Sequence, residues 1–223
     1  SGRSPMRPAE GGEVGGLRGL GPDWRALDCH QEADRIAGAI RSALGRELRR
    51  RGLVLGISGG IDSSVTAALC VKAVGKERVI GLQMPERHSS GETLGLSGLL
   101  AAHLGIETVV WDITPVLEAV GFYDRYDAAV RAAVPEYGPG WRSKIVVPEI
   151  AGDARLTVFS VVAEAPDGRA HRKRLDLEAY LAVVAATNFK QRIRKMLEYY
   201  HADLRNYAVA GTPNRLEYDQ GFF

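Results

Sequence analysis

Three features of the sequence predict an α/β fold built on a doubly wound parallel sheet. Leu53–Ile57 is a short apolar run of the kind a strand buried on both faces shows, Val79–Met84 is a second short apolar strand, and Thr108–Trp111 reads as a third strand. The intervening stretches, Ser63–Val74 and Gly91–Leu104, are of helical length and end at Gly75 and Gly105, residues suited to helix C-caps. The resulting order, strand–helix–strand–helix–strand, leaves each connection long enough for a crossover. In such sheets ligands bind beyond the carboxyl ends of the strands, so Ser58–Ser64 and Met84–Ser90 are expected at one shared edge. Met84 either lines a pocket there or packs the core.

Ahead of the first strand, Trp24, Leu27, Ile36, Ile40, Leu44 and Leu48 recur at roughly helical spacing, with Arg and Glu between them. Arg49, Arg50 and Arg51 then read as a solvated helix end, where cations suit the dipole. Beyond the third strand, Gly121–Leu175 is less regular. Lys144–Val147 and Leu156–Ala163 are strand-like and Pro166–Asp167–Gly168 is a turn signal. These are read as a β-ribbon within an insertion at about 121–175. Arg169, His171, Arg172, Lys173 and Arg174 make the ribbon basic, as either a solvated edge or a guard over an acceptor or partner surface. Leu177, Tyr180, Leu181, Val184, Phe189, Ile193, Met196, Leu197 and Tyr200 restore a helical pattern, and Tyr207–Gly211 reads as a further buried strand.

The 223 residues suit one sizeable domain, taken as 23–223, preceded by a flexible leader at 1–22 that is rich in Gly, Pro and Arg. A net charge of +2 provides no basic field for nucleic acid. No apolar run reaches the length of a membrane span, and the N-terminus lacks the apolar core of a secretion signal. Two cysteines, Cys29 and Cys70, do not make a disulfide framework, and a cytoplasmic setting is expected.

The chemistry concentrates at Ser58–Gly59–Gly60–Ile61–Asp62–Ser63–Ser64. A strand, a glycine turn and a helix start form a ready anion site, because the first helical amides have no internal partner and the dipole adds to their pull. Gly59 and Gly60 let the backbone approach an oxyanion, while Ser58, Ser63 and Ser64 add hydroxyl donors. Asp62 would repel phosphate unless a cation lay between them, which points to a nucleotide with Mg²⁺. Thr212 lies just past the last strand, and Glu217 is a candidate partner for Asp62 on a shared metal ion.

This loop resembles the pyrophosphate loop of the N-type ATP pyrophosphatases, which have the adenine nucleotide alpha hydrolase-like fold. It lacks the Gly-Lys-Ser/Thr ending of a Walker loop. Together with Asn188–Arg194, Tyr199, Tyr200, Val209–Glu217 and Gly221–Phe223, it looks like the NAD synthetase family. The resemblance implies an ATP-dependent ligase. It would adenylate the carboxylate of deamido-NAD, releasing pyrophosphate, and let ammonia displace AMP. By the same resemblance Gly56, Ile57, Ser58, Gly59, Gly60, Ile61, Asp62 and Ser63 hold the ATP phosphates, with Ser64 beside them. Asp62 and Glu217 ligate Mg²⁺, Thr212 contacts ATP, and Arg192 contacts deamido-NAD. No cysteine with a helper histidine suggests a built-in glutaminase, so free ammonia or ammonia from a separate partner is expected. The family also implies a homodimer.

The resemblance covers about 24–115 and 185–223. Between Asp112 and Asn188 the chain is several tens of residues longer than the family connection. The family pattern continues past Phe223, so a longer protein with its C-terminal part missing here is expected. The rival readings are a related ligase with another carboxylate acceptor and a non-catalytic nucleotide-binding relative. Pyrophosphate release and acceptor preference discriminate them.

Overall fold

The structure, a computed structural model, describes residues 27–146 and 159–213. Its centre is β1 (Leu53–Gly56), which pairs in parallel with β2 (Val79–Gln83) on one side and β7 (Ala208–Val209) on the other. With β3 (Glu107–Val110) outside β2, the sheet order is β3-β2-β1-β7, all parallel.

Alternation along β1 assigns its side chains to two cores, as the pleat requires. Leu53, Leu55 and Ile57 pack with residues of α1 (Cys29–Ser42), α2 (Ile61–Val74) and α3 (Gly91–Leu104). Val54 joins Ile80 and Leu82 against α4 (Thr114–Ala119), α5 (Phe122–Ala133) and α6 (Leu177–Arg205). Helices therefore cover both faces, as the sequence pattern predicts. Each fully buried Leu or Ile here contributes about 1.5–3 kcal/mol.

Helix ends follow local chemistry. Asp28 caps α1 by accepting from the amides of His30 and Gln31, and a π-helical turn at Ala43–Glu47 extends that helix. Gly105 ends α3 in the left-handed region at φ 66°. Asp176 caps α6, which runs 29 residues, about 43 Å at 1.5 Å per residue, to a left-handed Asn206.

The apolar stripe expected before the first strand is only partly correct: Leu27 and Leu48 are exposed, while Ala37 and Leu44 are buried. Trp24 and the leader at 1–22 lie outside the described residues. The irregular reading from Gly121 misses α5, whose Phe122, Tyr123 and Val130 are buried.

The expected ribbon is a three-stranded antiparallel sheet, β4 (Arg142–Val146), β5 (Ser160–Glu164) and β6 (Ala170–Arg174), in the order β4-β5-β6. Its Val161 and Ala163 pack with Val130 and Val134 and with Ala179 and Val183 of α6. Helix α6 is thus shared. Its first turns cover the antiparallel sheet, and Ile193, Leu197 and Ala202 cover the parallel one.

Candidate nucleotide site

The order β3-β2-β1-β7 reverses direction at β1, and the crevice at such a switch point is where open α/β sheets bind ligands. Residues 57–60 leave β1 there and enter α2. Gly59 has φ 77°, and a Cβ on it would lie 2.5 Å from Leu96 Cβ and 3.1 Å from the Ser97 nitrogen. The turn can sit against α3 only as glycine.

Gly60 caps α2 without a side-chain bond, and the first helical hydrogen bond runs from Ser64 to Gly60. That leaves the amides at the helix start available to an anion. The serines shape the turn: Ser63 Oγ accepts from the Ser58 amide at 3.3 Å and donates to the Gly60 carbonyl at 3.1 Å. Ser64 Oγ donates to the same carbonyl at 2.8 Å.

Beside this turn a cavity of about 220 Å³ opens between α3 and α6. Of the candidate residues from the sequence, Gly56, Ile57, Ser58, Ser63, Met84 and Thr212 line this one cavity. Met84 also belongs to the core cluster around Val54 and Leu82, so it packs the core and lines the cavity at once. Gly59, Gly60, Ile61, Asp62 and Ser64 form the turn and the first turn of α2 but do not line the cavity, and Asp62 is exposed.

Arg192 faces elsewhere. It lines a second, alanine-rich cavity of about 770 Å³ between α5 and α6, together with Arg125, Phe189 and Ala186. Glu217 lies outside the described residues, as does Gly221–Phe223.

Several cavity residues were not singled out from the sequence. Gln83 Nε2 donates to Ser97 Oγ at 2.7 Å and to the Leu94 carbonyl at 3.3 Å, tying the end of β2 to α3. Gln191, Arg194, Lys195 and Glu198 come from one stripe of α6, at the i, i+3, i+4, i+7 spacing of a helical face. The sequence holds this spacing, but the apolar residues of the same helix carry the stronger periodic pattern.

Burial pushes the Glu198 carboxyl above the ordinary glutamate range, although Lys195 Nζ lies 2.6 Å away. Burial likewise lowers the Arg194 guanidinium, opposed by the carboxylates of Glu86 and Glu198. Glu86, in the loop after β2, accepts from Lys190 Nζ at 3.1 Å, Tyr123 Oη at 3.0 Å and the His88 amide at 2.9 Å. Burial alone would raise its pKa, but the His88 amide and Lys190 outweigh that and hold it low. These bonds brace the loop against α5 and α6.

An uncapped helix start over the switch point of a parallel sheet, with a cavity of mixed polar and apolar lining beside it, is the arrangement at which α/β proteins of the nucleotide-binding class take up anions. The family model described as NAD synthase matches residues 33–134 and 164–223, and the chain belongs to that family. It is 54% identical over 198 residues to the NH3-dependent NAD⁺ synthetase of Mesorhizobium japonicum, spanning 89% of this chain and 62% of that protein. The NH3-dependent NAD⁺ synthetase of Rhizobium meliloti is also 54% identical, over 90% of this chain and 60% of the relative. The chain thus spans about three-fifths of these relatives' length. A solved NH3-dependent NAD synthetase from Campylobacter jejuni, in complex with nitrate, superposes with a TM-score of 0.56 at 25% identity, covering 88% of this chain and 62% of that one. The matched family segments leave out residues 135–163, which include β4 and most of β5.

Proposed function

We propose that this chain carries the ATP-binding, adenylating part of an ammonia-dependent NAD synthetase. The observation that carries the reading is the uncapped start of α2, held by Gly59 against α3, beside a cavity walled in part by Gln191, Arg194 and Lys195, in a chain of this family. Homology to proteins named NH3-dependent NAD⁺ synthetases supports the substrates ATP, deamido-NAD and ammonia.

A carboxylate is a poor electrophile because oxide would have to leave. Attack of the deamido-NAD carboxylate on the α-phosphorus expels pyrophosphate, and attack of ammonia on the acyl carbon then expels AMP, with loss of a proton from nitrogen. The chain's part in the first step is electrostatic. The amides at the α2 start, that of Ser63 among them, and the Ser58 hydroxyl would bind phosphate oxygens, and Thr212 would contact the nucleotide from the end of the neighbouring strand β7. The exposed carboxylate of Asp62, in the first turn of α2, fits the Mg²⁺ habit of combining few protein carboxylates with substrate phosphates. Asp62 would hold that ion together with Glu217, where it would supply Lewis-acid charge neutralisation.

Arg192, at the second cavity, would contact deamido-NAD. The exposed Met196, Tyr199, Tyr200 and Leu204 along α6 support a homodimer as part of the same proposal. Among the described residues no helix is long and apolar enough to cross a membrane. Both cysteines are free, which supports a cytoplasmic setting.

The test follows pyrophosphate on mixing the chain with ATP, Mg²⁺, ammonia and deamido-NAD. Release that depends on deamido-NAD supports the reading. Release that another carboxylate triggers and deamido-NAD does not would favour a ligase with a different acceptor. That second reading draws on the antiparallel sheet at a segment the family model leaves out. Tight ATP binding without release under any of these conditions would favour a non-catalytic relative.

A further inference from the structure

Glu198 is an unexpected group on the wall of a cavity meant for a polyanion. It is only 3% exposed, and it shares its stripe of α6 with two cations, Arg194 and Lys195. A carboxylate there repels phosphate, so its presence needs a reason. Two contacts supply one. Its Oε2 accepts from Lys195 Nζ at 2.6 Å. Its Oε1 lies over Gly56, where a Cβ would approach it to 2.8 Å. Glu198 is therefore seated against the end of β1, and it holds the Lys195 ammonium.

A lysine otherwise extends its flexible stem toward water and away from a neighbouring cation. The carboxylate of Glu198, which interacts with both Arg194 and Lys195, lets two consecutive cations stay on the cavity wall. The direction also matters. Helix α6 leads into β7, which is parallel to β1, so α6 runs opposite to β1. Lys195 precedes Glu198 by three residues and so stands about 4.5 Å beyond the level of Gly56, toward the outlet of β1. Ser58, Ser63 and the free amides of α2 lie at that outlet. One ammonium donor is used on Glu198, and two remain.

We propose that Lys195 is a phosphate contact of the bound nucleotide and that Glu198 is the positioning residue that holds it. The inference rests on the reading of this cavity as the ATP site. It adds a cation on α6 to the cradle formed by the turn and the start of α2.

The test is calorimetry on the full chain, with ATP, ADP and adenosine titrated in Mg²⁺ buffer. Lys195→Met alone strands a buried carboxyl and risks the fold, so the deciding variant is K195M/E198Q, which removes both charges at nearly constant shape. A lost charge-assisted bond predicts a fall of roughly 10- to 100-fold in ATP and ADP affinity, with adenosine affinity unchanged. Lys195→Arg, keeping the charge, should stay within a few-fold of the parent. Parental ATP affinity in the double variant would overturn the proposal, and so would an equal loss for adenosine. A parent chain that shows no binding of ATP, ADP or adenosine is a separate result, which would overturn the nucleotide reading itself.

Discussion

In the parallel sheet, β1 buries Leu53, Val54 and Leu55 and β2 buries all five of its residues, so side chains of both parities are covered. In the antiparallel sheet only alternate residues of the middle strand, Val161 and Ala163, are buried, while β6 leaves Ala170, Arg172, Lys173 and Arg174 exposed. One sheet has its central strands enclosed by helices on two faces, with its edge strand β3 largely exposed. The other rests one face on α5 and α6 and turns the other outward, as antiparallel sheets commonly do. The candidate site lies on the parallel sheet, whose strand ends converge on one edge, where a turn and two helices meet. The antiparallel sheet joins the rest through α6, the same helix that carries Arg194, Lys195 and Glu198. The difference teaches that the two regions can be perturbed separately.

The largest expected effect is chemical. Asp62→Asn should lower pyrophosphate release by at least about 10²–10³-fold, the scale of losing one charge-stabilising element, with the fold intact. Steady-state pyrophosphate assays beside circular dichroism check this, and full activity with unchanged Mg²⁺ dependence would return Asp62 to an ordinary first-turn acid. Next, Gly59→Ala forces a Cβ into the backbone of α3 at a positive φ. It should cost about 1–3 kcal/mol of stability and weaken ATP binding together. Urea unfolding and ATP titration on the same variant measure both.

At the loop brace, Lys190→Met leaves Glu86 buried without its cation. Since Lys190 is partly solvated, a loss of about 2–3 kcal/mol is expected, below the roughly 3–5 kcal/mol of a fully buried pair. The brace also sets a pH dependence. Glu86 is held below its ordinary range, so the unfolded chain binds its proton more readily than the folded one. Its contribution is present above the ordinary glutamate range and is lost as pH falls through that range and below. Glu86→Gln should therefore flatten the acid limb of the stability curve, while stability at neutral pH declines. A parental acid limb in this variant would show that the brace does not titrate as described.

The smallest effects separate the sheets. Val161→Ala should destabilise by about 1–3 kcal/mol without altering ATP affinity, whereas Val54→Ala, beside Leu82 and Met84, should lower both. Arg172→Gln, on the exposed strand, should change stability by no more than about 0.5 kcal/mol.

Legibility in the sequence followed the same division. Strands buried on both faces write continuous apolar runs, so β1, β2 and the glycine turn after β1 were readable within a residue or so. Helix α3 was readable to its ends, because Gly105 closes it. Helix α5 was missed because its buried Phe122, Tyr123, Ala129 and Val130 alternate with Asp and Arg, and its start follows α4 with only two residues between. The cavity's wall on α6 was missed for another reason. Gln191, Arg194, Lys195 and Glu198 look like the solvated side of an amphipathic helix, and only the fold reveals that this side faces the end of β1. Arg192 was assigned by resemblance alone, and the structure puts it at a different cavity from Thr212 and Ser58.

The central claim is that nucleotide is held at the outlet of β1 and not on the appended sheet. Amide hydrogen exchange of the full chain, with and without ATP and Mg²⁺, tests it most directly. The account predicts slowed exchange at residues 58–64, at the start of α2, and in the lining segments around Met84 and Thr212, with β4, β5 and β6 unchanged. Protection confined to the antiparallel sheet, with the turn exchanging as in the free chain, would contradict it.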